Sequence, residues 1–552
     1  MAYFDANVFV GRWPLEKLAY NNVDGLHANM CRLGIDRALV AHTIAWQNSP
    51  ALGNRMLMEA INIYSDLEPC WVITPGLQVE ERGGLKALFE EMAHYDVRAV
   101  RLFPRDHVFS LTEKMSVELL NVLNRHHYLV IIDLDQIFTQ SGLYDYSAGS
   151  LEVLNELCSH YPDVSFLLTK VGYRAFQILF PLIQTHSNLY LDLSFFATHQ
   201  GVEVVVESLG AERLLFGTGQ PLIDPGGALL RLTSASISEA DIQKIAGRNL
   251  EQLLGRAQFD SLPKSRTITT TKIKNNSVAK RWSEIPLDIE IVDAHVHMGP
   301  YHKFYIPQNS PEDMLHVMDH LHIAQSCVSS HLAISGDWYT GNRLTAQAVT
   351  AHPDRFIGYV VVSPNEPDLI EPELKQAFDE WGFKGIKLVP DTHLQPIGSD
   401  GYQPVFKFAS HRQCLVLVHT YHGSRFDDPQ LFGSVAKQYP EVPILMVHSG
   451  ALTTAFEGAI TLAKDNKNLY LDISGSFITA DWIERMVLEI GADRVLFSSD
   501  QPFIDPRYSL GRLLNANLSM DALAQVIGGN IKRLLYTHTH NHRFKHSEIL
   551  SN

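Results

Sequence analysis

An internal duplication is the feature that most constrains how this 552-residue chain folds. The segment "FDANVFVG" (4–11) recurs as "VDAHVHMG" (292–299), and "GNR" (53–55) recurs at the same spacing (341–343). Further pairs follow in the same order: "VRAVRLFP" and "FKGIKLVP", "YPDVSFLLTKVG" and "YPEVPILMVHSG", "NLYLDLS" and "NLYLDIS", "ERLLFGTGQPLIDP" and "DRVLFSSDQPFIDP", and "AGRNLEQLL" and "GGNIKRLL". So many ordered matches indicate two copies of one fold.

The pattern inside each copy predicts the fold class. Short apolar runs such as "LVLVH" alternate with amphipathic stretches such as "DPQLFGSVAKQY", which is typical of parallel βα units. Copies of about 250 residues have the size of a (β/α)8 barrel. We therefore predict two tandem TIM-like barrels, residues 1–256 and 291–536, with a doubly wound open sheet as the alternative. Neither copy contains a glycine-rich phosphate loop, so nucleotide binding has no support.

Two segments fall outside the predicted barrels. Residues 257–290 are polar, rich in Lys and Arg, and without helical or strand periodicity, which predicts a linker. Residues 537–552 contain several histidines, and we expect this tail to be disordered.

Charge and cysteine content narrow the class of partner. A formal net charge of −16 argues against binding to nucleic acid or to an anionic membrane, so a small-molecule substrate is expected. The 5 cysteines show no CxxC spacing, which argues against a disulfide framework or a zinc knuckle. The N-terminus does not resemble a signal peptide, and no run approaches the roughly 18 apolar residues of a membrane span. We expect a cytoplasmic protein.

Metal-binding side chains end several predicted strands of the second copy. His295 and His297 are two residues apart on one strand and so share a face of it. His419, His448 and Asp500 end "LVLVH", "ILMVH" and "VLFSSD". In a parallel barrel these strand ends converge on one bowl. Four imidazoles and a carboxylate are costly to bury without a partner, so the pattern predicts a divalent metal ion.

The second copy resembles the amidohydrolase superfamily, in its amidohydrolase-related branch of hydrolases, lactonases and nonoxidative decarboxylases. The marks are DxHxH on strand 1, GIK on strand 4, His on strands 5 and 6, SD on strand 8 and the closing "GGNIKRLL". The resemblance implies one divalent ion, with Zn²⁺ favoured, and the ligands His295, His297, His419 and Asp500. It also implies that Asp500 acts as the proton shuttle and that His448 stabilises charge on the substrate.

Other candidates carry alternative interpretations. Lys387 either is carboxylated and bridges two metal ions, as in some members of the superfamily, or instead binds a substrate carboxylate or forms a structural ion pair. Asp293 either orients a ligand histidine or caps the strand. Tyr421, His422 and Arg425 follow strand 5, where they either bind a substrate carboxylate or form a solvated loop.

In the first copy every ligand is replaced. The positions of His295, His297, His419, His448 and Asp500 hold Asn7, Phe9, Asp133, Lys170 and Gly219, and Arg101 stands for Lys387. We therefore predict a degenerate, noncatalytic barrel. It either takes the place of a partner subunit or binds an effector at Arg101, Asp133 and Lys170. Family barrels often pair, so homo-oligomer formation is a further expectation.

These observations favour a metal-dependent hydrolase that cleaves an amide, lactone or other ester bond of a small carboxylated substrate. Nonoxidative decarboxylation on the same metal is the alternative, because both reactions need a Lewis acid and a proton shuttle. A noncatalytic ligand-binding module is the third hypothesis, which the first copy favours and the second opposes.

Overall fold

The computed structural model describes residues 2–80, 83–137, 148–259 and 276–536. The chain forms two compact units, Met1–Ser283 with Lys303–Tyr305, and Glu284–His302 with Ile306–Asn552. The tail predicted to be disordered, 537–552, lies outside the described residues.

Each unit contains one sheet of eight parallel strands in sequential order. The strands of the first unit are β1 (Phe4–Val10), β2 (Arg37–His42), β3 (Leu67–Val72), β4 (Ala99–Leu102), β5 (Leu129–Asp133), β6 (Ser165–Thr169), β7 (Leu189–Asp192) and β8 (Leu214–Leu215). Those of the second unit are β9 (Ile291–Met298), β10 (Ile323–Ser330), β11 (Phe356–Val361), β12 (Gly385–Leu388), β13 (Leu415–His419), β14 (Ile444–Val447), β15 (Leu469–Asp472) and β16 (Val495–Leu496).

Backbone hydrogen bonds close each sheet into a barrel. In the first unit the Gly219 N–H donates to the Asn7 carbonyl at 2.8 Å, and in the second the Asp500 N–H donates to the His295 carbonyl at 3.0 Å. These equivalent bonds join the first strand of each sheet to the segment after the eighth. The predicted tandem barrels are confirmed, and the open-sheet alternative is wrong.

Helices surround the strands, as expected for βα units. The first unit contains α1 (Val23–Leu33), α2 (Thr43–Gln47), α3 (Pro50–Ile61), α4 (Leu77–Glu80), α5 (Gly84–His94), α6 (Lys114–Arg125), α7 (Leu134–Ile137), α8 (Ala148–His160), α9 (Phe176–Thr185), α10 (Gly201–Leu209), α11 (Pro225–Thr233), α12 (Glu239–Gln243), α13 (Asn249–Leu254) and α14 (Ser277–Ser283). The second contains α15 (Pro311–His320), α16 (His331–Ser335), α17 (Trp338–Ala351), α18 (Pro367–Asp379), α19 (Pro390–His393), α20 (Gln403–Arg412), α21 (Phe432–Gln438), α22 (Thr453–Asp465), α23 (Ala480–Ile490), α24 (Pro506–Asn515), α25 (Met520–Ala524) and α26 (Asn530–Tyr536). No helix in the described part of the chain has the length and apolarity needed to cross a membrane.

Helix α14 (Ser277–Ser283) lies inside the segment predicted to be a linker, 257–290, and the linker stays a prediction. The Asn276 side chain accepts hydrogen bonds from the N–H groups of Val278 and Ala279 at 3.1 Å each, which begins the helix. Val278 is fully buried. A helix of 7 residues is too short to show a clear hydrophobic period in sequence.

Apolar side chains fill both barrels. Fully buried members of the two cores include Leu129, Ile131 and Leu167 in the first barrel and Leu415, Leu417 and Leu445 in the second. A barrel packed in this way offers no pore, so chemistry is confined to the C-terminal ends of its strands.

Candidate metal centre

The second barrel brings three of the predicted ligands together. His295 and His297 are alternate residues of β9, so their side chains lie on one side of the strand. Asp500 follows β16, and it shares with His448 a φ of 64°, in the left-handed region. Such backbone strain in residues other than glycine is concentrated at functional sites.

The three ligand atoms have the spacing of one coordination sphere. His295 Nε2 and His297 Nε2 lie 3.0 Å apart, and Asp500 Oδ1 lies 3.7 Å from the first nitrogen and 3.5 Å from the second. All three residues are buried. Two atoms that bind one zinc ion at roughly 2.0–2.2 Å are themselves about 3–3.5 Å apart. The donor set therefore fits a divalent cation.

The two histidines are held in the neutral form that binds metals. Burial lowers the pKa of His295 to about 4 and lowers the pKa of His297 well below its usual value. A neutral imidazole presents a lone pair to a cation. His297 Nδ1 lies 3.1 Å from the Ser329 hydroxyl and 3.2 Å from the Ser329 carbonyl. These contacts fix the ring with Nε2 in the cluster.

Asp472, at the end of β15, is a functional residue that the sequence analysis missed. Its Oδ2 lies 3.4 Å from His295 Nδ1. Its Oδ1 accepts hydrogen bonds from the His448 N–H at 3.0 Å and from the Ser474 hydroxyl at 2.5 Å. A carboxylate on the far nitrogen of a metal-binding histidine fixes the orientation of that ring. The repeated "NLYLD" segment, which ends in Asp in both copies, was the available signal.

His448 and His419 lie next to the cluster of three. His448 Nε2 is 4.0 Å from Asp500 Oδ2, and its Nδ1 lies 2.8 Å from the Ser474 hydroxyl. The His419 ring centroid lies 5.3 Å from that of His448, while His419 Nδ1 lies 2.6 Å from Asp427 Oδ2. His419 is outside the compact cluster, and its role as the fourth ligand stays a prediction.

Lys387 ends β12 and points its amine at the cluster. Its Nζ lies 2.8 Å from His295 Nε2, and the side chain is 1% exposed. Burial lowers the pKa of Lys387 to about 8. The Lys387 amine therefore contacts a nitrogen of His295, a candidate metal ligand. The interpretations of Lys387 from the sequence stay predictions.

Asp293 contacts backbone groups. Its Oδ1 accepts hydrogen bonds from the N–H groups of His295 at 3.2 Å and Ser499 at 3.0 Å. In the first barrel, which has no ligand set, Asp5 Oδ1 likewise accepts from the Thr218 N–H at 2.9 Å. The shared bond ties the first strand to the segment after the eighth in both barrels. This geometry supports a structural role for Asp293.

The three rim candidates contact residues of their own loop. The Tyr421 N–H donates to the Asp427 carbonyl at 3.3 Å, and His422 Nδ1 lies 3.3 Å from Asp428 Oδ2. Arg425 is exposed, and its guanidinium lies 5.5 Å from the centroid of the neighbouring Phe426 ring. Substrate binding by these residues stays a prediction.

Aromatic side chains border the cluster beside His297. The Phe503 ring lies 5.4 Å from the His297 ring and stacks on His331 at 4.1 Å, and Tyr301 meets it edge-on at 4.7 Å. Phe503 also packs on an apolar cluster that includes Ile334, Trp338, Val361 and Val389. The sequence motifs did not indicate this wall, because its members come from separate loops. Its flat apolar surface suits an aromatic substrate.

The first barrel replaces the metal centre with buried ion pairs. Arg101 Nη1 lies 3.2 Å from Asp133 Oδ1, and Arg101 Nη2 donates to Asn7 Oδ1 at 2.7 Å. Lys170 Nζ lies 2.9 Å from Asp133 Oδ2. Arg101 and Asp133 are almost fully buried. The second barrel has candidate metal ligands at the ends of its strands. At the equivalent place the first barrel has two cations, Arg101 and Lys170, beside the Asp133 carboxylate.

Comparisons with known proteins agree with this architecture. The amidohydrolase family profile matches residues 12–256 and 292–536. A gamma-resorcylate decarboxylase from Polaromonas sp. (strain JS666 / ATCC BAA-500) is 25% identical over 242 residues, which cover 35% of this chain and 74% of that protein.

Two solved structures have a similar barrel. The 5-carboxyvanillate decarboxylase from Sphingomonas paucimobilis is 16% identical, with a TM-score of 0.37, covering 45% of this chain and 99% of that one. A dihydroxybenzoic acid decarboxylase from Polaromonas sp. JS666, with bound manganese and the inhibitor 2-nitroresorcinol, is 18% identical, with a TM-score of 0.36, covering 45% and 96%. The family profile matches each of the two barrels, and together the two matches cover most of the sequence. This chain therefore belongs to the amidohydrolase family.

Proposed function

We propose that the second barrel is a metal-dependent nonoxidative decarboxylase of a small aromatic carboxylic acid. The observation that carries the proposal is the aromatic wall of Phe503, His331 and Tyr301 directly beside the His295, His297 and Asp500 cluster. The similarity to a gamma-resorcylate decarboxylase supports the same reaction class.

The residues that would hold the ion are His295, His297 and Asp500, with His419 as the fourth ligand. Three imidazoles and one carboxylate favour Zn²⁺ among the common ions. When bound, a divalent ion supplies Lewis-acid polarisation of a substrate oxygen.

The side chains of this chain supply orientation and the proton. Phe503 and Tyr301 would hold the flat ring of the substrate against the cluster. As the bond between ring carbon and carboxylate breaks, CO₂ leaves and the electron pair stays on the ring carbon. Asp500, which enters this step as the neutral carboxylic acid, then donates its proton to that carbon, so that hydrogen replaces the carboxylate; it takes up a proton from solvent before the next turnover. His448 lies 4.0 Å from Asp500. Its Nδ1–H donates to the Ser474 hydroxyl, so its Nε2 would accept a hydrogen bond from a substrate hydroxyl.

Hydrolysis of an amide, lactone or other ester bond is the second candidate function. The position of His448 beside Asp500 favours it, because this pair places two groups that can accept a proton from an attacking water on adjacent sides of one site. The hypothesis of a noncatalytic module would have to explain why a buried metal-ligand set is present in the second barrel. We propose that the first barrel is noncatalytic, because Asn7, Phe9, Asp133 and Gly219 stand at the positions of the four candidate ligands.

A direct assay separates these functions. The full chain, loaded with Zn²⁺ or Mn²⁺, is incubated with 2,6-dihydroxybenzoate and 5-carboxyvanillate, and CO₂ release is measured. Lactones and N-acyl compounds are tested in parallel by titration of released acid. We expect CO₂ from an aromatic acid, with loss of turnover in His297→Ala and Asp500→Asn.

His411→Ala and Asp354→Asn are matched controls, because both residues are exposed and distant in sequence from the cluster; they should retain full activity. Acid release without CO₂ would establish hydrolysis instead. Full CO₂ release in the His297→Ala variant would refute the metal centre.

A further inference from the structure

The loop that follows β13, residues 420–428, buries one carboxylate that the sequence motifs did not mark. Asp427 is fully buried, although it lies eight residues beyond the end of the strand. Its N–H donates to the Ser424 hydroxyl at 3.4 Å, and its carbonyl accepts from the Tyr421 N–H at 3.3 Å. The Ile397 N–H donates to the carbonyl of the preceding Phe426 at 2.9 Å. These bonds turn the loop back and hold Asp427 beside the strand end.

The carboxylate of Asp427 contacts the histidine that ends the strand. Asp427 Oδ2 lies 2.6 Å from His419 Nδ1. A carboxylate only accepts hydrogen bonds, so the hydrogen of a neutral His419 ring lies on Nδ1 and the lone pair on Nε2. A lone pair on a neutral imidazole is what a cation binds. The contact therefore leaves Nε2 as the nitrogen available to an ion.

The other two candidate ligand histidines are held by the same ring atom. His297 Nδ1 lies 3.1 Å from the Ser329 hydroxyl, and His295 Nδ1 lies 3.4 Å from Asp472 Oδ2. Of the three contacts, the one between His419 and Asp427 is the shortest. His419 is also the most open of these histidines, with a side chain that is 30% exposed, against 1% for His295 and 2% for His297. Its ring is therefore the one that most needs a partner to fix its orientation.

The second oxygen of Asp427 points to the same role. Among the described residues, Asp427 Oδ1 has no hydrogen-bond partner. A buried carboxylate is costly when its charge is not balanced. A neutral imidazole offsets little of that charge, whereas an imidazole that binds a cation through its other nitrogen becomes a stronger donor to the carboxylate. An ion on His419 would thus also stabilise Asp427.

We propose that Asp427 is the positioning residue of His419. Its carboxylate fixes the hydrogen on Nδ1 and holds the ring, so that Nε2 is presented as the fourth ligand of the ion. This inference rests on the ligand role of His419 in the proposed function. It does not depend on which reaction the ion supports.

A double-mutant cycle on metal affinity tests the inference. The dissociation constant for Zn²⁺ is measured on the full chain by competition with a chelator. We expect Asp427→Asn to weaken Zn²⁺ binding roughly ten- to a hundredfold, and His419→Ala to weaken it at least as much. In the His419→Ala background, Asp427→Asn should add less than about threefold, because a residue that acts through His419 has nothing left to position.

Asp428→Asn is the matched control. It makes the same change at the next residue of the loop, where Oδ2 accepts from the Gly423 N–H at 2.6 Å and lies 3.3 Å from His422 Nδ1. Its Zn²⁺ affinity should stay within about twofold of wild type. Circular dichroism of the metal-depleted chains shows whether each variant is folded. Asp427→Ser, which removes the carboxylate without adding volume, gives the same comparison if the Asn variant is unfolded.

Three results would overturn the assignment of Asp427 alone. These are wild-type affinity in Asp427→Asn while His419→Ala binds weakly, an equal loss from Asp427→Asn with and without His419, and an equal loss in Asp428→Asn. Wild-type affinity in His419→Ala would instead refute the ligand role of His419, and this inference with it. The affinities are measured without substrate, so the assignment and the proposed decarboxylation fail separately.

Discussion

Replacing Asp133 by Asn tests whether buried ion pairs stabilise the first barrel in place of a metal ion. Asp133 is fully buried, and it accepts a hydrogen bond from the Thr169 hydroxyl at 2.6 Å besides its contacts with Arg101 and Lys170. Burial alone would raise the pKa of Asp133, but Lys170 and Arg101 lower it from 3.8 to about 2. A shift of this size corresponds to folding free energy on the order of 2 kcal/mol at neutral pH.

The loss on substitution should be larger than this figure. Asp133→Asn leaves the Arg101 guanidinium, 2% exposed, without its carboxylate. Breaking a buried pair by removal of one partner typically costs about 3–5 kcal/mol. For a unit of this size, that cost lowers the Tm by roughly 6–20 °C.

Differential scanning calorimetry of the metal-depleted full chain measures this shift. Asp163→Asn is the control, because that carboxylate is 55% exposed and lies 3.6 Å from His127; its Tm should change by less than about 2 °C. A carboxylate with a lowered pKa contributes its stability above the unfolded-state pKa and loses it as the pH falls. The gap between wild type and Asp133→Asn should therefore be constant from pH 7 to about 5 and shrink below about pH 4. A Tm change as small as the control's would refute the stabilising role.

The metal centre yields three further predictions. Elemental mass spectrometry should find about one divalent ion per wild-type chain and almost none in His297→Ala, which removes a buried candidate ligand. The control variant His411→Ala should keep the ion. About two ions per wild-type chain would favour a carboxylated Lys387 that bridges two metal ions. Asp472→Asn should weaken the metal affinity roughly ten- to a hundredfold, measured by competition with a chelator, because His295 loses the carboxylate that orients it; an unchanged affinity would contradict that role. Zn²⁺ at about 100 times its Kd should raise the free energy of unfolding of the second unit by about 2.7 kcal/mol, seen as a higher Tm in wild type and not in His297→Ala.

Repeats and strand ends made the fold, and the clustering of His295, His297 and Asp500, predictable. The duplication and the βα pattern indicated both barrels, and the spacing of His295 and His297 placed them on one face of β9. Asp472 was missed because an aspartate after an apolar strand looks the same in sequence whether it caps the chain or orients a histidine. The wall around Phe503 was missed because its side chains converge from β9, β10 and β16, and such convergence depends on loop paths that a single sequence does not specify.

The contacts between neighbouring helices were the part of the structure that the sequence predicted least. Nothing in the "GNR" triplet indicates that Arg343 contacts a buried glutamate while Arg55 lines a cavity, because the difference comes from one position of the following helix. Register along that helix is fixed by how it ends, and the first copy has one residue fewer between Met92 and β4 than the second has between Ala377 and β12. A comparison of the two sequences without the backbone bonds would pair Glu373 with the wrong residue of α5.

The two barrels answer the same electrostatic problem in different ways. Buried carboxylates at the strand ends need a nearby positive charge, since an isolated charge in a protein interior is costly. In the second barrel, Asp500 and Asp472 lie among neutral histidines, and Lys387 is the cation that the chain itself supplies there. A divalent ion bound there would neutralise the negative charge that remains on these two carboxylates.

In the first barrel, Arg101 and Lys170 supply two cations to Asp133 from within the chain. Because these two cations are present, the first barrel differs from the second by more than the replacement of its candidate metal ligands. Restoring histidines by Asn7→His and Phe9→His would place imidazoles beside a guanidinium that already occupies the centre. Recovery of a metal site would therefore also require removal of Arg101 and Lys170, and each removal leaves Asp133 short of a partner. The substitutions in the first copy therefore support one another through their shared contacts with Asp133.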